Sequence, residues 1–412
     1  MKTLILVLLV AAADTSPRRR MIDPVRCLAV AELDTGGRPY SVDFSPDGRF
    51  LVTSGEEASV RVWSVPLRRI ERTLELGRGR AFQTQYFPDG KSLAIGVLNH
   101  RVSIVDAATG TERASFDQAI GYLQTFAISP DGKRIAVARH DRTCRVFDVA
   151  TKAEAFSLIG HGSQVYSVAF SPDGKTIATG GLDRTVRLWS ADAGRELACL
   201  TGHRQYVYSL AFSPDGRFLV TGGLDGSARV WELPEGRERF VLDGHARGVW
   251  AVAITTNSRW IATGGQDGTI RFWNASTGRE VRKIDAHHNG VWSLSFSPDG
   301  ARLASVGRDS KVRLWGEPPS PIRVPHKPGW LGVFVRSEEG GRVIVVEIEK
   351  GSPAEAASVA KGDVVFRVNG RAVRTAEDLN EIVARLREGE EAVLGIRRED
   401  REREIRVLLG AK

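Results

Sequence analysis

The chain has 412 residues, which gives room for two or three domains of ordinary size. Hydrophobic residues make up 42% and charged residues 26%, as in a globular protein, and no apolar run reaches the length of about twenty residues of an ordinary membrane-spanning helix. The formal net charge of +8 does not favour nucleic-acid binding, because many of the arginines recur at one position of a repeat and are therefore spread apart: Arg61, Arg145, Arg187, Arg229, Arg271 and Arg313.

The first residues have the pattern of an export signal. Lys2 precedes the apolar run 4–13, which ends in three alanines and is typical of a secretory signal with its cleavage site. Arg18–Arg20 follow the run and would oppose translocation, so the alternative is a disordered tail before a domain that starts near Met21. We interpret residues 1–21 as signal-peptide-like, which predicts an exported, periplasmic bacterial protein. The alternative places the protein in the cytoplasm.

Two landmarks recur every 42 residues. The first is the Asp or Asn of an S-P-D-G turn or its variant: Asp47, Asp89, Asp131, Asp173, Asp215, Asn257 and Asp299. The second is a strand position that is usually Trp: Trp63, Val105, Phe147, Trp189, Trp231, Trp273 and Trp315. Runs of β-branched and aromatic residues predict three strands between Val165 and Trp189, and the run Ala155–Ile159 predicts a fourth. Four strands per repeat predict a mainly β protein, a propeller of seven blades over residues 22–316.

Between Arg26 and Trp315 these repeats resemble the WD-repeat family. The resemblance implies a hydrogen-bonded tetrad of His, Ser or Thr, Asp and Trp, which the last four repeats carry: His161, Thr179, Asp183 and Trp189; His203, Thr221, Asp225 and Trp231; His245, Thr263, Asp267 and Trp273; His287, Ser305, Asp309 and Trp315. Four similar sets on separate blades cannot converge on one substrate atom, so we interpret them as structural and not as catalytic triads.

The first three repeats depart from this pattern. Glu57 and Asn99 stand at the aspartate position, and no histidine precedes the opening strands of these repeats. Each missing hydrogen bond forfeits about 1 kcal/mol. We therefore expect the first three blades to be the looser sector of the propeller.

The ring is expected to close through a strand before the first repeat. The strand pattern from Cys27 to Leu33 precedes the first complete repeat, whereas the sequence after Trp315 turns to Gly-Glu-Pro-Pro-Ser-Pro. The last blade therefore lacks a fourth strand of its own. We expect residues 27–33 to supply it, which leaves no long open sheet edge.

One position near the start of the first strand of each repeat is rich in aromatic residues: Tyr40, Phe82, Gln124, Tyr166, Tyr208, Trp250 and Trp292. In WD-repeat proteins this position lies near the rim of the upper face, where partners usually dock, and Leu182 and Leu224 belong to the same face. An exposed ring of aromatics would be an apolar patch of the kind that marks interaction sites. The alternative is that the rings pack between blades. The predicted partner-binding sector is Tyr166, Leu182, Tyr208, Leu224, Trp250 and Trp292.

The 42-residue period ends at a proline-rich segment, residues 317–327, which is typical of a stiff, extended linker. Residues 328–412 predict a small α+β module. A helix is expected over residues 375–386, with Thr375 and Asp378 as its cap. The apolar face of this helix would be Leu379, Ile382, Val383 and Leu386. Two further strands are expected near Val393–Ile396 and Glu404–Leu408.

Two motifs of this module, Gly351-Ser352-Pro353-Ala354 and Gly362-Asp363, carry a second resemblance. Over Gly329 to Leu409 the module is similar to the PDZ domains of bacterial trypsin-like stress proteases. It departs from many of them at Ser358-Val359, where they have a Gly-Leu pair.

This resemblance implies a groove for the C-terminus of a peptide. Trp330-Leu331-Gly332-Val333 matches the carboxylate-binding loop, whose N–H groups cradle a carboxylate, with added attraction from Lys327. The strand that follows would pair with the peptide by β-augmentation, at an affinity on the order of micromolar. The expected groove residues are Trp330, Leu331, Gly332, Val333, Phe334, Val335, Leu379, Ile382 and Leu386. The alternative is a PDZ fold kept as a structural cap, with its groove filled by the linker.

The sequence contains no recognisable catalytic or metal-binding motif. It has no G-x-S-x-G, no G-x-x-x-x-G-K and no H-E-x-x-H, and Cys27, Cys144 and Cys199 have neither disulfide nor metal-binding spacing, so we interpret them as small core residues. We therefore predict a non-catalytic scaffold, without cofactor or metal, that binds proteins or peptides, including free C-termini, and does not bind nucleic acid. The alternatives are a substrate-presenting adaptor of a separate protease and a propeller hydrolase with its site in the central channel. The oligomeric state stays open, and a monomer fits the pattern.

Overall fold

A computed structural model of the chain describes residues 21–76, 79–97, 101–116, 123–317, 322–323, 331–338, 341–384, 386 and 390–409. These residues are mainly β and divide into two compact units, of which the first ends at Glu317. Within these ranges no helix is long and apolar enough to cross a membrane. The export signal expected in residues 1–20 lies outside the described residues.

The described residues of the first unit form seven four-stranded antiparallel sheets, as expected of WD-type repeats. We number the sheets 1 to 7 and the strands in chain order. From the innermost to the outermost strand, the sheets are β2–β5 (Pro39–Phe44, Phe50–Gly55, Ser59–Ser64, Arg69–Glu75), β6–β9 (Ala81–Tyr86, Ser92–Val97, Arg101–Asp106, Glu112–Phe116), β10–β13 (Leu123–Ile128, Arg134–Arg139, Thr143–Asp148, Glu154–Ile159), β14–β17 (Val165–Phe170, Thr176–Gly181, Val186–Ser190, Glu196–Leu200), β18–β21 (Val207–Phe212, Phe218–Gly223, Ser227–Glu232, Arg237–Asp243), β22–β25 (Val249–Ile254, Trp260–Gly265, Thr269–Asn274, Glu280–Asp285), and β26, β27, β28 and β1 (Val291–Phe296, Arg302–Gly307, Lys311–Gly316, Leu28–Asp34).

The turn between the first two strands of a repeat shows why the S-P-D-G sequence recurs. In sheet 4, Ser171 Oγ donates to Asp173 Oδ1 over 2.6 Å, and the same carboxylate accepts the Lys175 N–H over 3.0 Å. Gly174 closes the turn at φ +69°, a left-handed conformation that glycine adopts without strain. The turn fixes how β14 and β15 pair, and with them the side chains that β14 presents at the centre of the unit.

The strand before the first repeat completes sheet 7, as predicted from residues 27–33. β1 pairs antiparallel with β28, from Leu28 opposite Gly316 to Asp34 opposite Lys311. Lys311 Nζ lies 2.9 Å from Asp34 Oδ2 at the end of this pairing. The innermost strands β2 and β26 are also in contact, so sheets 1 and 7 adjoin each other. Residues far apart in sequence thereby hold the first unit together.

The described residues of the second unit form one antiparallel sheet and two short helices. In chain order its elements are β29 (Ile322–Arg323), β30 (Val333–Glu338), β31 (Arg342–Ile348), α1 (Pro353–Ala356), β32 (Val364–Val368), β33 (Arg371–Ala372), α2 (Ala376–Ala384), β34 (Glu391–Arg398) and β35 (Arg401–Leu408). The strand order is β29-β30-β31-β32-β34-β35, and β33 pairs with β32. Its core is a single cluster of aliphatic side chains, among them Val335, Val365, Val383 and Ile396.

Helix α2 begins as the sequence indicates and ends earlier. The Asp378 N–H donates to Thr375 Oγ1 over 3.1 Å and the Thr375 N–H donates to Asp378 Oδ2 over 2.9 Å, a reciprocal capping box. The helix was expected to reach residue 386, but it ends at Ala384. The apolar spacing continues through Leu386, which packs on the core without being helical, and this explains the difference.

The cysteines are only partly core residues. Cys27 and Cys144 are buried and free, whereas Cys199 is exposed, which corrects the expectation that all three are buried. Cys199 lies on β17, the outermost strand of sheet 4, which has no further strand of its own sheet beyond it. No group of three or more potential metal-ligating side chains occurs within the ranges that the structure describes.

Candidate binding sites

The four predicted tetrads are assembled in sheets 4 to 7. In sheet 4, His161 Nδ1 lies 2.9 Å from an Asp183 oxygen and His161 Nε2 lies 2.8 Å from Thr179 Oγ1. The Trp189 indole N–H donates to the same Thr179 hydroxyl over 2.8 Å. Burial opposes ionisation of Asp183, but hydrogen bonds from His161 and Thr185 outweigh it and lower the pKa of this carboxyl. The other three tetrads make the same contacts, with Ser305 in place of threonine in sheet 7.

Sheet 1 keeps half of this arrangement. The Trp63 indole N–H donates to Thr53 Oγ1 over 2.8 Å, as in the complete tetrads. Glu57, at the aspartate position, pairs with Arg61 in place of a histidine. The corresponding Asn99 of the second repeat lies outside the described residues.

Polar contacts join the innermost strands of sheets 1, 2 and 3. The Thr84 N–H donates to Ser41 Oγ over 3.2 Å, which links sheets 1 and 2. The Gln83 amide donates to the Phe126 carbonyl over 2.9 Å and accepts the Phe126 N–H over 3.0 Å, which links sheets 2 and 3. These contacts were not foreseen from the tetrad pattern. Whether the first three sheets are the looser sector stays a prediction.

The aromatic position coincides with a β-bulge in all seven innermost strands. Each pairing of an innermost strand with the next strand skips one residue, and the skipped residues are Tyr40, Phe82, Gln124, Tyr166, Tyr208, Trp250 and Trp292. A bulge leaves its extra residue outside the ladder and re-aims its side chain. The six aromatic side chains are half-buried and line one central cavity.

This central cavity has a volume of about 1080 Å³, and residues of all seven innermost strands line it. Five of the aromatic rings that line it form two groups. Trp250 stacks on Trp292 with ring centroids 4.4 Å apart, and Tyr40 meets Trp292 edge-on at 5.9 Å. Tyr208 lies 5.0 Å from Tyr166. The rings therefore pack on one another and also face the cavity, so both interpretations of the aromatic position describe part of the arrangement.

The predicted partner-binding sector is only partly brought together. Tyr166, Tyr208, Trp250 and Trp292 share the central cavity, whereas Leu182 and Leu224 are absent from its described lining. Both leucines are half-buried. The structure thus separates the aromatic part of the sector from its aliphatic part.

Asp43 is a cavity-lining carboxylate that the sequence analysis did not single out. It is half-buried and accepts hydrogen bonds from the Tyr86 N–H, over 3.0 Å, and from Ser295 Oγ, over 3.3 Å. Burial raises the pKa of Asp43 to about 6, against the lowering effect of these hydrogen bonds. The signal was present in the repeat, since position 43 corresponds to alanine in repeats 3 to 6.

The predicted peptide-groove residues of the second unit fall into two sets. Leu331, Val333, Val335 and Leu379 are fully buried in the core, whereas Phe334, Ile382 and Leu386 are half-buried. Gly332 has φ +75°, which a larger residue would adopt only with strain. Trp330 and Lys327 lie outside the described residues.

The edge of β30 that would accept a peptide carries a strand of the same chain. Ile322 pairs opposite Val335 and Arg323 opposite Phe334, so β29 runs antiparallel to β30. The backbone of β29 also lies beside α2, in the space between this helix and β30. The short strand therefore has the position and direction of a β-augmenting peptide whose chain runs toward Gly332.

The Gly-Asp motif of the second unit has a structural role. Asp363 is almost completely buried and accepts two hydrogen bonds from the Arg398 guanidinium, over 2.6 and 2.8 Å. It also accepts the Ala360 N–H over 2.8 Å. The fork-shaped guanidinium matches the carboxylate, so this pair ties the loop before β32 to β34.

Comparisons with known families agree with this architecture. Residues 122–317 match the family model of the IFT122 first beta-propeller, residues 25–64 match that of the WD domain, G-beta repeat, and residues 329–409 match that of the PDZ domain. The resemblance to WD-repeat propellers and PDZ domains is therefore confirmed. Modules of both kinds typically bind proteins and are typically not catalytic.

Curated relatives match this chain only in part. The WD repeat-containing protein SL1-17 of Schistosoma mansoni is 35% identical over 72 residues, 18% of this chain and 24% of that protein. A probable periplasmic serine endoprotease DegP-like of Rhizobium meliloti is 33% identical over 93 residues, 20% of this chain and 18% of that protein. A protein of the same description from Brucella suis is 33% identical over 95 residues, with the same two shares. The protease similarity covers the PDZ region alone.

Proposed function

We propose that this protein is a non-catalytic scaffold in which a seven-bladed propeller, residues 22–316, holds one protein partner and the PDZ domain, residues 328–412, captures a peptide. The observation that carries the proposal is the antiparallel pairing of β29 with β30 beside α2. This pairing supports peptide binding, because an extended segment already fits the space that a β-augmenting ligand would use.

The same pairing makes the linker a competitor of the peptide. In the part of the linker that the structure describes, β29 pairs at two residues, so their separation from β30 loses little backbone hydrogen bonding. The apparent affinity for a peptide is reduced by the fraction of molecules in which β29 is docked. Each 1.4 kcal/mol of docking free energy weakens the apparent affinity about tenfold.

A peptide-binding experiment tests this part of the proposal. The full-length protein is titrated with a library of peptides that end in a free carboxylate or in an amide. The double variant Ile322→Pro/Arg323→Pro, which cannot pair as β29 does, is expected to bind free-carboxylate peptides more tightly than the parent. Gly332→Trp is expected to lose binding, because its φ and the approach of the carboxylate both require glycine. If neither the parent nor the double proline variant binds any peptide, the PDZ domain is a structural cap.

The propeller is proposed to bind its partner through Tyr166, Leu182, Tyr208, Leu224, Trp250 and Trp292. The half-buried rings around the central cavity support this assignment, since aromatic side chains that keep some exposure are typical of interaction hot spots. The double variant Tyr208→Ala/Trp250→Ala is expected to lose captured partners while its circular dichroism stays that of the parent. Capture of every partner by the double variant would contradict the proposal.

An adaptor of a separate protease is the second candidate, and the similarity to periplasmic DegP-like proteins favours it. It also supports the proposal that residues 1–21 direct export, with a location in the periplasm. Cell fractionation with and without residues 1–20 tests the location. Co-purification with an endogenous protease that depends on Gly332 would favour the adaptor over a scaffold that joins two other partners.

A further inference from the structure

At one position of the innermost strands, the residues are polar on one side of the ring and alanine on the other. The innermost-strand position three residues after each bulge reads Asp43, Gln85, Ala127, Ala169, Ala211, Ala253 and Ser295 in sheets 1 to 7. Sheets 7, 1 and 2 adjoin one another, so their polar residues are neighbours, whereas sheets 3 to 6 present alanine. The asymmetry is concentrated on Asp43, since it supplies the only charge at this position.

Asp43 has no cationic partner within the described part of the chain. Its hydrogen bonds come from the backbone N–H groups of Tyr86 and Phe44 and from the neutral Ser295 hydroxyl. Among the described residues that line the cavity there is no lysine, no arginine and no second carboxylate. A partly buried carboxylate that lacks a counter-charge is stabilised when a cation approaches it.

Aromatic side chains occupy the bulges of the two strands that carry Asp43 and Ser295. Tyr40 precedes Asp43 by three residues on β2, and Trp292 precedes Ser295 by three residues on β26. At about 3.3 Å per strand residue, ring and carboxylate positions are separated by roughly 10 Å along the strand. Faces and edges of tyrosine and tryptophan form a favourable wall for an alkyl chain that ends in a cation. Arg308 lies 5.9 Å from the Trp292 ring centroid, so one face of this ring is already in contact with a cation of the same chain.

We propose that the cavity binds a lysine or arginine side chain of a partner protein, with the ammonium or guanidinium group paired to Asp43 and the alkyl chain against Tyr40 and Trp292. This inference rests on the proposed partner-binding function of the propeller and specifies its chemistry. A neutral side chain of the same length would leave the Asp43 charge unpaired.

The test uses immobilised peptide mixtures with a fixed central residue, degenerate flanks and blocked termini, so that no free carboxylate reaches the PDZ domain. The central residue is arginine, lysine, citrulline or leucine. The full-length protein is expected to bind the arginine and lysine mixtures at least about tenfold more tightly than the citrulline and leucine mixtures. Asp43→Asn is expected to abolish this preference, and Asp43→Glu, which keeps the charge, to restore part of it.

Asp47→Asn is the matched control, because it removes the same charge from a turn that follows the same strand and does not belong to the cavity lining. Equal binding of the arginine and citrulline mixtures by the parent overturns the inference. This comparison needs the parent protein alone and does not depend on whether a variant folds. If all four mixtures bind equally, the cation is refuted and the partner-binding function stands. If none of the mixtures binds, recognition of a cation by the cavity is refuted. Whether the propeller binds a partner at all is then decided separately, by whether Tyr208→Ala/Trp250→Ala loses partner capture.

Discussion

Replacing Thr221 by valine tests whether the tetrads stabilise the propeller. Thr221 is fully buried, and its hydroxyl lies 2.8 Å from His203 Nε2 and 2.9 Å from the Trp231 indole nitrogen. Asp225 faces His203 Nδ1 at 3.1 Å, so Nδ1 carries the proton and Nε2 accepts from the threonine hydroxyl. Valine has nearly the shape of threonine, so the variant removes both hydrogen bonds and leaves almost no cavity.

Two buried polar atoms lose their partner in this variant, the Trp231 N–H and His203 Nε2. An unsatisfied buried donor or acceptor costs about 1–3 kcal/mol, so the free energy of unfolding should fall by about 2–6 kcal/mol. For a unit of this size the loss corresponds to a decrease of Tm of roughly 3–10 °C. Urea denaturation followed by tryptophan fluorescence, together with calorimetry, measures both quantities.

Thr176→Val is the control, because Thr176 is a half-buried strand residue whose hydroxyl makes no hydrogen bond within the described residues. Its free energy of unfolding should change by less than about 0.5 kcal/mol. The double variant Thr221→Val/Trp231→Phe should cost less than the sum of its single variants, since phenylalanine also removes the orphaned N–H. A Thr221→Val protein as stable as the control would refute the stabilising role of the tetrads.

Three further predictions follow from the same structure. Deletion of residues 26–34 removes β1 from sheet 7 and should lower the Tm of the whole first unit, and an unchanged melting curve would refute closure by this strand. Burial opposes ionisation of Asp225, but hydrogen bonds from His203 and the Arg204 N–H outweigh it and lower the pKa of this carboxyl. The ionised carboxylate therefore stabilises the fold above about pH 4, and this stabilisation is lost as the pH falls through the lowered pKa. Asp225→Asn should accordingly lose less stability between pH 5 and pH 2 than the parent. Arg398→Met leaves the buried Asp363 charge without its counter-ion and should destabilise the PDZ unit by about 3–5 kcal/mol, whereas exposed Arg406→Met should cost less than about 1 kcal/mol in the same denaturant titration.

The repeat made much of the first unit predictable. A period of 42 residues locates the strands and turns, and the tetrad pattern locates side chains that the structure brings within 3.1 Å of one another. The bulges were not predictable, because alternation of apolar residues does not reveal a one-residue shift between paired strands. Without that shift, the direction in which Tyr208 or Trp250 points could not be derived, and packing and binding stayed equal alternatives.

Asp43 was missed for a different reason. Its neighbours along β2 have the expected strand pattern, and its charge becomes unusual only when the same position is compared across all seven repeats. Even then, the lack of a cationic partner depends on what the adjoining strands β6 and β26 present, which is a property of the folded ring. An expectation based on landmarks alone therefore finds the residues that repeat and overlooks the one that differs.

The occupant of the PDZ groove illustrates what a sequence pattern leaves undetermined. Any extended segment can pair with a free strand edge, so Ile322–Arg323 and a peptide compete on backbone hydrogen bonds that carry little sequence information. The linker is tethered to the groove, which gives it an effective concentration of about 1 mM or more. A free peptide at micromolar concentration, with micromolar affinity for the empty groove, displaces the linker only if β29 binds the groove about a thousandfold more weakly than the peptide does. The two described residues of β29 offer fewer hydrogen bonds than a four-residue C-terminus together with its carboxylate, so we expect such a difference. The affinity gained by the double proline variant therefore measures directly how far the linker holds the groove closed.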